Sequence, residues 1–233
     1  MAQRGQTRAT FDAQLRDLEQ ELLKMGTFVE QMVADSLRAL TAQDVELAEE
    51  IIRRDDIADQ MDIEIEERCM RLLALQQPMS RDLRTIATGL KIISDLERMG
   101  DFAVDIARIA KLLAGEPYFK PLVDIPRMSE LAKKMVRDAL TAFVRRDLQL
   151  VRQVCADDDA VDRMWHALRD ELMDFMRKDP NLVTQALHLL LVARYLERIA
   201  DHATNVAERV DYMETGTLKQ LARAHTAEGP GLR

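Results

Sequence analysis

Turn formers and aromatics are scarce in this 233-residue chain, which holds 8 Gly, 6 Pro and only 4% Phe, Trp and Tyr. β-Branched runs bounded by turn residues are missing as well, which argues against sheet. Only two cysteines occur, Cys69 and Cys155, far apart and without a Cys-x-x-Cys, so no disulfide framework is available and both read as buried thiols of a reducing compartment. No Lys/Arg block stands against the net charge of -8, which excludes the electrostatic footprint of a nucleic-acid binder. The longest strongly apolar stretch, around Leu187–Ala193, is far too short to cross a bilayer, so no membrane insertion is expected. Met1 to Thr10 is polar and lacks the apolar core of a signal peptide, which points to the cytoplasm. Neither a Gly-rich phosphate loop, a nucleophile elbow nor a Cys/His pairing is present. Glu-x-x-His, the paired signature of di-iron bundles, is absent too.

What the chain does contain is helix-forming residues, with apolar side chains at three- and four-residue spacing almost throughout. Leu15, Leu18, Leu22, Met25, Val29, Met32 and Val33 form one such stripe. Turn signals cut the chain into six predicted helices. The first runs from about Phe11 to Leu40. Asp44 caps a second that runs to about Leu75, where Gln77-Pro78 breaks it. Ser80 caps a third, which ends near Leu113 with Gly115 just beyond. A crossover with Pro117, Pro121 and Pro126 follows, with Pro126 placed at the first helical position of helix four. Asp147 opens helix five. Asp179-Pro180 opens helix six, which spans about Asn181 to Tyr212 and stops at Gly216 before a tail expected to fray.

The two halves repeat. Residues 95–107 read DLERMGDFAVDIA and residues 195–207 read YLERIADHATNVA, with six of thirteen positions identical. Earlier in each half, Asp55 to Met61 aligns with Asp158 to Met164, and Asp44 with Asp147. The expected fold is therefore all-α, two tandem three-helix bundles related by an internal repeat. The expected units are 8–114, a linker over 115–125, 126–213, and a tail over 214–233.

The most specific feature is Glu-Arg-x-x-Asp, present in both halves. Glu97 and Asp101 stand four apart on one helical face, as do Glu197 and Asp201. Helix two adds Asp55, Asp59 and Asp62; helix five adds Asp158 and Asp162. If helices two and three are antiparallel neighbours, Asp59 approaches Glu97 and Asp101, and Asp162 takes the matching place beside Glu197 and Asp201. Like charges at this spacing repel and ask for compensation. Two readings stay open. In one, arginines such as Arg98 and Arg198 compensate and each face is an ordinary solvated, salt-bridged surface. In the other, a hard cation sits among the oxygens. His202 beside Asp201 reads as an ordinary, partly exposed histidine, Trp165 as a core or interface anchor, and the 13 methionines as core filling.

Several of these residues together resemble the PhoU family of accessory regulators of the phosphate-specific transport system. They are Phe11-Asp-Ala-Gln-Leu, the Met25-Gly26 step, Gln76-Gln77-Pro78 before Asp82-Leu83-Arg84, and the duplicated Glu-Arg-x-x-Asp. The similarity runs over about residues 8–213. It implies a cytosolic homodimer without catalytic activity. The implied role is negative control of the phosphate-starvation response, linking the Pst transporter ATPase to a PhoR-type sensor kinase. It also implies iron or zinc at the repeated motif, carried here by Glu97, Asp101, Glu197 and Asp201. Helix spacing places Asp59 and Asp162 beside them, and an all-oxygen ligand set also suits manganese. Asn205 stands where the first half has Asp105, and Thr217-Leu218-Lys219-Gln220 departs from the family's charged tail. A metal-dependent bundle enzyme and a pure scaffold with acidic docking faces are the competing functions.

Overall fold

In a computed structural model of the chain, residues 2–76, 78–218 and 221 are described. Among them the elements are α1 (Ala2–Ala42), α2 (Val45–Gln76), α3 (Arg81–Leu113), α4 (Asp124–Arg145), α5 (Leu148–Lys178), a 3-10 turn (Pro180–Leu182) and α6 (Val183–Thr215). No strand occurs among the described residues.

The helix ends follow local chemistry. Asp44 accepts a hydrogen bond from the Leu47 N–H (3.0 Å), and Asp147 accepts from the N–H groups of Gln149 and Leu150 (2.9 and 3.1 Å). Both carboxylates satisfy amides that the first helical turn leaves open. Asp179 caps the 3-10 turn through the Asn181 N–H (3.0 Å), and the α-helix proper starts only at Val183. Gly216 closes α6 in the left-handed region (φ 72°). Ser80 occupies the N-cap position of α3 but makes no side-chain cap bond, because its backbone (φ 49°, ψ -110°) is not the extended form a cap requires. Pro126 falls at the third helical position, not the first; this is still within the turn whose amides lack intrahelical partners, so no bond is lost. Helix α1 begins nine residues before the expected Phe11. Gln77 lies outside the described residues, as does the tail apart from 214–218 and 221.

The apolar stripe of α1 (Leu18, Leu22, Met25, Val29, Met32, Val33) is fully buried, with Leu15 half-buried at its edge. Burial of each large side chain contributes about 1.5–3 kcal/mol toward the cost of ordering the chain. Helix α3 packs on α1 and α2, and α6 on α4 and α5. The two bundles join through α3 against α6 and α1 against α4, while α2 and α5 lie outermost and each packs only within its own bundle. In the α1–α4 seam Gly26 admits Leu140: an added Cβ would lie 2.0 Å from Leu140 Cδ1. The seam is tight because glycine leaves out the atom that would block it. The crossover is tied down at several points. Tyr118 donates to the Leu40 carbonyl (2.6 Å), and Gln185 accepts from the Phe119 N–H (2.9 Å).

Two residues hold left-handed backbone at matching places in the repeat, Gln43 (φ 55°) and Arg146 (φ 59°). Gln43 donates to the carbonyls of Leu113 and Glu116 (2.9 and 2.6 Å). Arg146 donates to Glu19 of the other bundle (2.8 Å). Asp82 and Arg84, singled out in the sequence, are structural: Asp82 pairs with Arg8 (2.6 Å) and Arg84 donates to the Met213 carbonyl at the end of α6 (2.9 Å). At the α3–α6 crossing the repeat shows itself as two related contacts. Asp95 meets His202 (2.8 Å), and Tyr195 stacks on Phe102 with ring centroids 5.7 Å apart.

Candidate functional site

Each bundle carries one acidic face between its second and third helices. In the first, Glu97 and Asp101 project from α3 toward Asp55, Asp59 and Asp62 of α2. Burial pushes the Glu97 carboxyl up, Asp101, Asp59 and Asp62 add to the rise, and Arg98 opposes it. Asp101 is raised by burial and by Asp59 and Asp105, against Arg98. Asp55 is raised by burial, then by Asp101 and Asp59; Asp62 by burial, then by Glu66 and Asp59. The Arg98 guanidinium lies 3.6 Å from Glu97 and 3.0 Å from Asp101. Asp62 Oδ1 is buried without a hydrogen-bond partner. These carboxylates are crowded and partly desolvated, and the one arginine beside the Glu–Asp pair does not offset that for either residue.

The second face holds Glu197 and Asp201 of α6 with Asp158 and Asp162 of α5. Glu197 is only 6% exposed and Asp158 only 4%. Burial pushes Glu197 up to about 7; Asp201 and Asp162 add to the rise, while Arg194 and Arg198 oppose it. Glu197 Oε1 accepts from Arg194, whereas Oε2 is buried without a hydrogen-bond partner. An ion pair would by itself favour the charged carboxylate. Desolvation outweighs it here because Arg194 is itself partly solvated, with its guanidinium 5.8 Å above the Trp165 ring. Arg198 binds Asp201 (3.0 Å), the counterpart of Arg98 and Asp101.

The folded chain thus brings Asp59 into the electrostatic neighbourhood of Glu97 and Asp101, and Asp162 into that of Glu197. Asp105 turns to Arg108 (2.8 Å), while Asn205 turns its amide to Asp95 (3.4 Å). His202 also faces Asp95, away from the acidic set. Trp165 is half-buried, packed against the edge of the core with the Arg194 guanidinium above its ring. Cys69 is buried and its thiol pushed up to about 12; Cys155 is half-buried, raised to about 11.

The tandem pattern decides the family. The family model of the PhoU domain matches residues 22–110 and again 125–210, one match per bundle. This chain belongs to the PhoU family. It is 44% identical over 211 residues to a phosphate-specific transport system accessory protein PhoU homolog of Clostridium acetobutylicum, covering 90% of this chain and 96% of that one. It is 46% identical over 205 residues to the homolog of Aquifex aeolicus, covering 88% and 93%. The crystal structure of PhoU from Pseudomonas aeruginosa matches with a TM-score of 0.85 at 40% identity, covering 89% of this chain and all of that one. That of the phosphate transport system regulatory protein PhoU from Streptococcus pneumoniae matches at 0.83 and 34%, covering 90% and 99%.

Within this PhoU fold the donor set has the chemistry of a hard-cation site: carboxylate oxygens, with two buried oxygens lacking partners, Asp62 Oδ1 and Glu197 Oε2. Among the described residues, however, no group of three or more His, Cys, Asp or Glu side chains is arranged to hold a metal ion. The Glu–Asp pairs of the motif are turned to Arg98, Arg194 and Arg198 instead. Sequence reasoning anticipated Arg98 and Arg198 as counter-charges and missed Arg194. The signal was available in the repeat alignment. Ser94 becomes Arg194 one turn ahead of the glutamate, and Asp62 becomes Trp165 beneath it.

Proposed function

We propose that this chain is a cytoplasmic, non-enzymatic accessory protein of a phosphate-specific transport system, acting as a homodimer in negative control of the phosphate-starvation response. In this reading it links the Pst transporter ATPase to a PhoR-type sensor kinase and holds the pair in a signal-off state when phosphate is plentiful. The observation that carries the proposal is the match of both bundles, over nearly the whole chain, to relatives named as accessory proteins of phosphate-specific transport. No helix among the described residues is long and apolar enough to cross a membrane, in keeping with a protein that works by docking. The test is a phosphate-responsive reporter in a strain lacking the gene. Expression in high phosphate is expected to rise toward the starved level, and unchanged repression would remove the assignment.

The acidic faces are read as cation sites for iron, zinc or manganese. Glu97, Asp101 and Asp59 would hold one ion, and Glu197, Asp201 and Asp162 the other. A bound cation supplies neutralising charge. The protein contributes oxygens already crowded and partly desolvated, whose repulsion the ion relieves. Loading requires Arg98 and Arg198 to swing off their aspartates, which their exposure permits. Metal analysis after purification without chelator tests this reading, with thermal melts in Mn²⁺, Fe²⁺ or Zn²⁺ as the second measurement. A ligand that binds only the folded state raises the melting temperature.

The arginine pairs favour a second reading, in which the faces stay metal-free and dock basic segments of the partners. A protein that carries no metal, shows no metal-dependent melt and still captures transporter and kinase would establish that scaffold role.

A further inference from the structure

A groove of about 550 Å³ lies along the α3–α6 crossing, apart from both acidic faces. Lys91, Ser94 and Asp95 line it from α3, Asn205, Glu208 and Arg209 from α6, and Leu218 from beyond the end of α6. The groove marks a place where the repeat has diverged. Ser94 and Asp95 correspond to Arg194 and Tyr195, and at the related crossing Tyr195 lies flat on Phe102. The shorter Asp95 meets His202 instead and leaves the space open. The two cations are also peculiar to this side, because their repeat partners are Leu191 and Ile109.

The carboxylates of the groove are engaged within the protein. Asp95 Oδ1 lies 2.8 Å from His202 Nδ1 and 3.4 Å from the Asn205 amide nitrogen. Glu208 accepts from the Leu221 backbone N–H at 2.6 Å. The cations are not engaged: among the described residues, neither the Lys91 ammonium nor the Arg209 guanidinium has an ion-pair or hydrogen-bond partner. Ser94 holds its hydroxyl to the Leu90 carbonyl only at 3.4 Å and can turn outward. The groove therefore keeps unused donor capacity on Lys91, Arg209 and Ser94. It combines a compact ammonium, a planar guanidinium fork and a hydroxyl, the donor set that suits a tetrahedral oxyanion.

We propose that this groove binds a small phosphate oxyanion between Lys91 and Arg209, either free inorganic phosphate or the phosphoryl group of a small metabolite. Lys91 belongs to the first bundle and Arg209 to the second, so the anion bridges the junction of the two. The proposal does not depend on metal at the acidic faces or on any partner protein, and it is tested without either.

Calorimetric titration of the full chain with sodium phosphate, and separately with glycerol phosphate, provides the test, with sodium chloride at matched ionic strength as the blank. Saturable binding is expected. Lys91→Gln and Arg209→Gln should each weaken it by about tenfold or more, the scale of one lost charge-assisted hydrogen bond. Lys178→Gln, at an exposed cation ending α5, should leave it unchanged. Binding of phosphate itself identifies the free ion as ligand, and binding of glycerol phosphate alone identifies an organic phosphate. Heats no larger than the chloride blank with both probes would overturn the proposal, and so would affinities that both glutamine variants leave intact.

Discussion

The two acidic faces descend from one pattern and solve the same problem differently. The first leaves five carboxylates (Asp55, Asp59, Asp62, Glu97, Asp101) around the single arginine of the motif. The second has lost one acid to Trp165 and gained Arg194, which rests on that tryptophan and reaches Glu197. The first half disperses its repulsion over partly exposed groups. The second concentrates the penalty on one buried carboxyl, raised to about 7. Duplication preserved the Glu–Asp spacing while leaving the surrounding charges free to change.

Replacing Glu197 with Gln should have the largest effect. Its carboxyl titrates near 7 in the folded chain against 4.5 ordinarily, so between those values the folded state holds a proton that the unfolded state releases. Stability from this group is present below the unfolded value and lost as pH rises through 7. Glu197→Gln should then gain on the order of 3 kcal/mol at about pH 8, and none below about pH 4. Glu97→Gln should show a smaller gain of the same sign, because its carboxyl is more exposed. Urea melts of both variants across pH measure the difference, and equal gains would mean that the halves are electrostatically alike.

The seam between the bundles is the next place to separate them. Val at Gly26 puts a Cβ 2.0 Å from Leu140 Cδ1, and the forced repacking should cost about 1–3 kcal/mol. The repeat places Ser129 at the matching position, buried with its hydroxyl unpartnered. Ser129→Ala should be neutral or stabilise by up to about 1 kcal/mol. Thermal denaturation with opposite signs at the two sites would show that the halves contribute unequally to the seam.

Arg146 and Gln43 offer a third contrast, since glycine at either position relieves about 1 kcal/mol of left-handed backbone strain. Arg146→Gly also strands Glu19, half-buried and already raised by desolvation, so a net loss of about 1 kcal/mol is expected. Gln43→Gly, which loses only neutral hydrogen bonds to Leu113 and Glu116, should come out near zero. Chemical denaturation resolves the two.

The smallest effect belongs to the motif itself. Asp101→Asn should leave the metal-free protein unchanged or more stable by about 0.2–0.5 kcal/mol, since burial and like charge outweigh Arg98. Combined with Asp201→Asn it should abolish any rise in melting temperature caused by metal. A loss of stability in the apo protein would mean that the Arg98 pair dominates.

Helices, repeat and most ends were legible because they rest on local chemistry: apolar spacing, the Asp44 and Asp147 carboxylates, and Gly216. Ser80 misled because its residue type suits a cap and its backbone does not, and that backbone is set by the chain reversal after Pro78. The acids of each face could be read from spacing. Arg194 was legible as well, one helical turn ahead of Glu197 where the first half has Ser94, and it was missed because only the arginine inside the motif was weighed. Arg84 was visible as a motif residue, but its partner, the Met213 carbonyl, lies in the opposite bundle. Long-range pairings of this kind leave no periodic trace.

The outermost position of α2 and α5 bears on how the molecule comes apart. Each has neighbours on one side only, whereas α3 and α6 are held both within their bundles and across the junction. Amide hydrogens of α2 and α5 should therefore exchange with solvent through separate openings, one per bundle, while those of α3 and α6 wait for global unfolding. An event that frees α2 or α5 would lay bare the acids facing it and leave the central staves standing. The fold could thus change what it presents on either flank without losing cohesion.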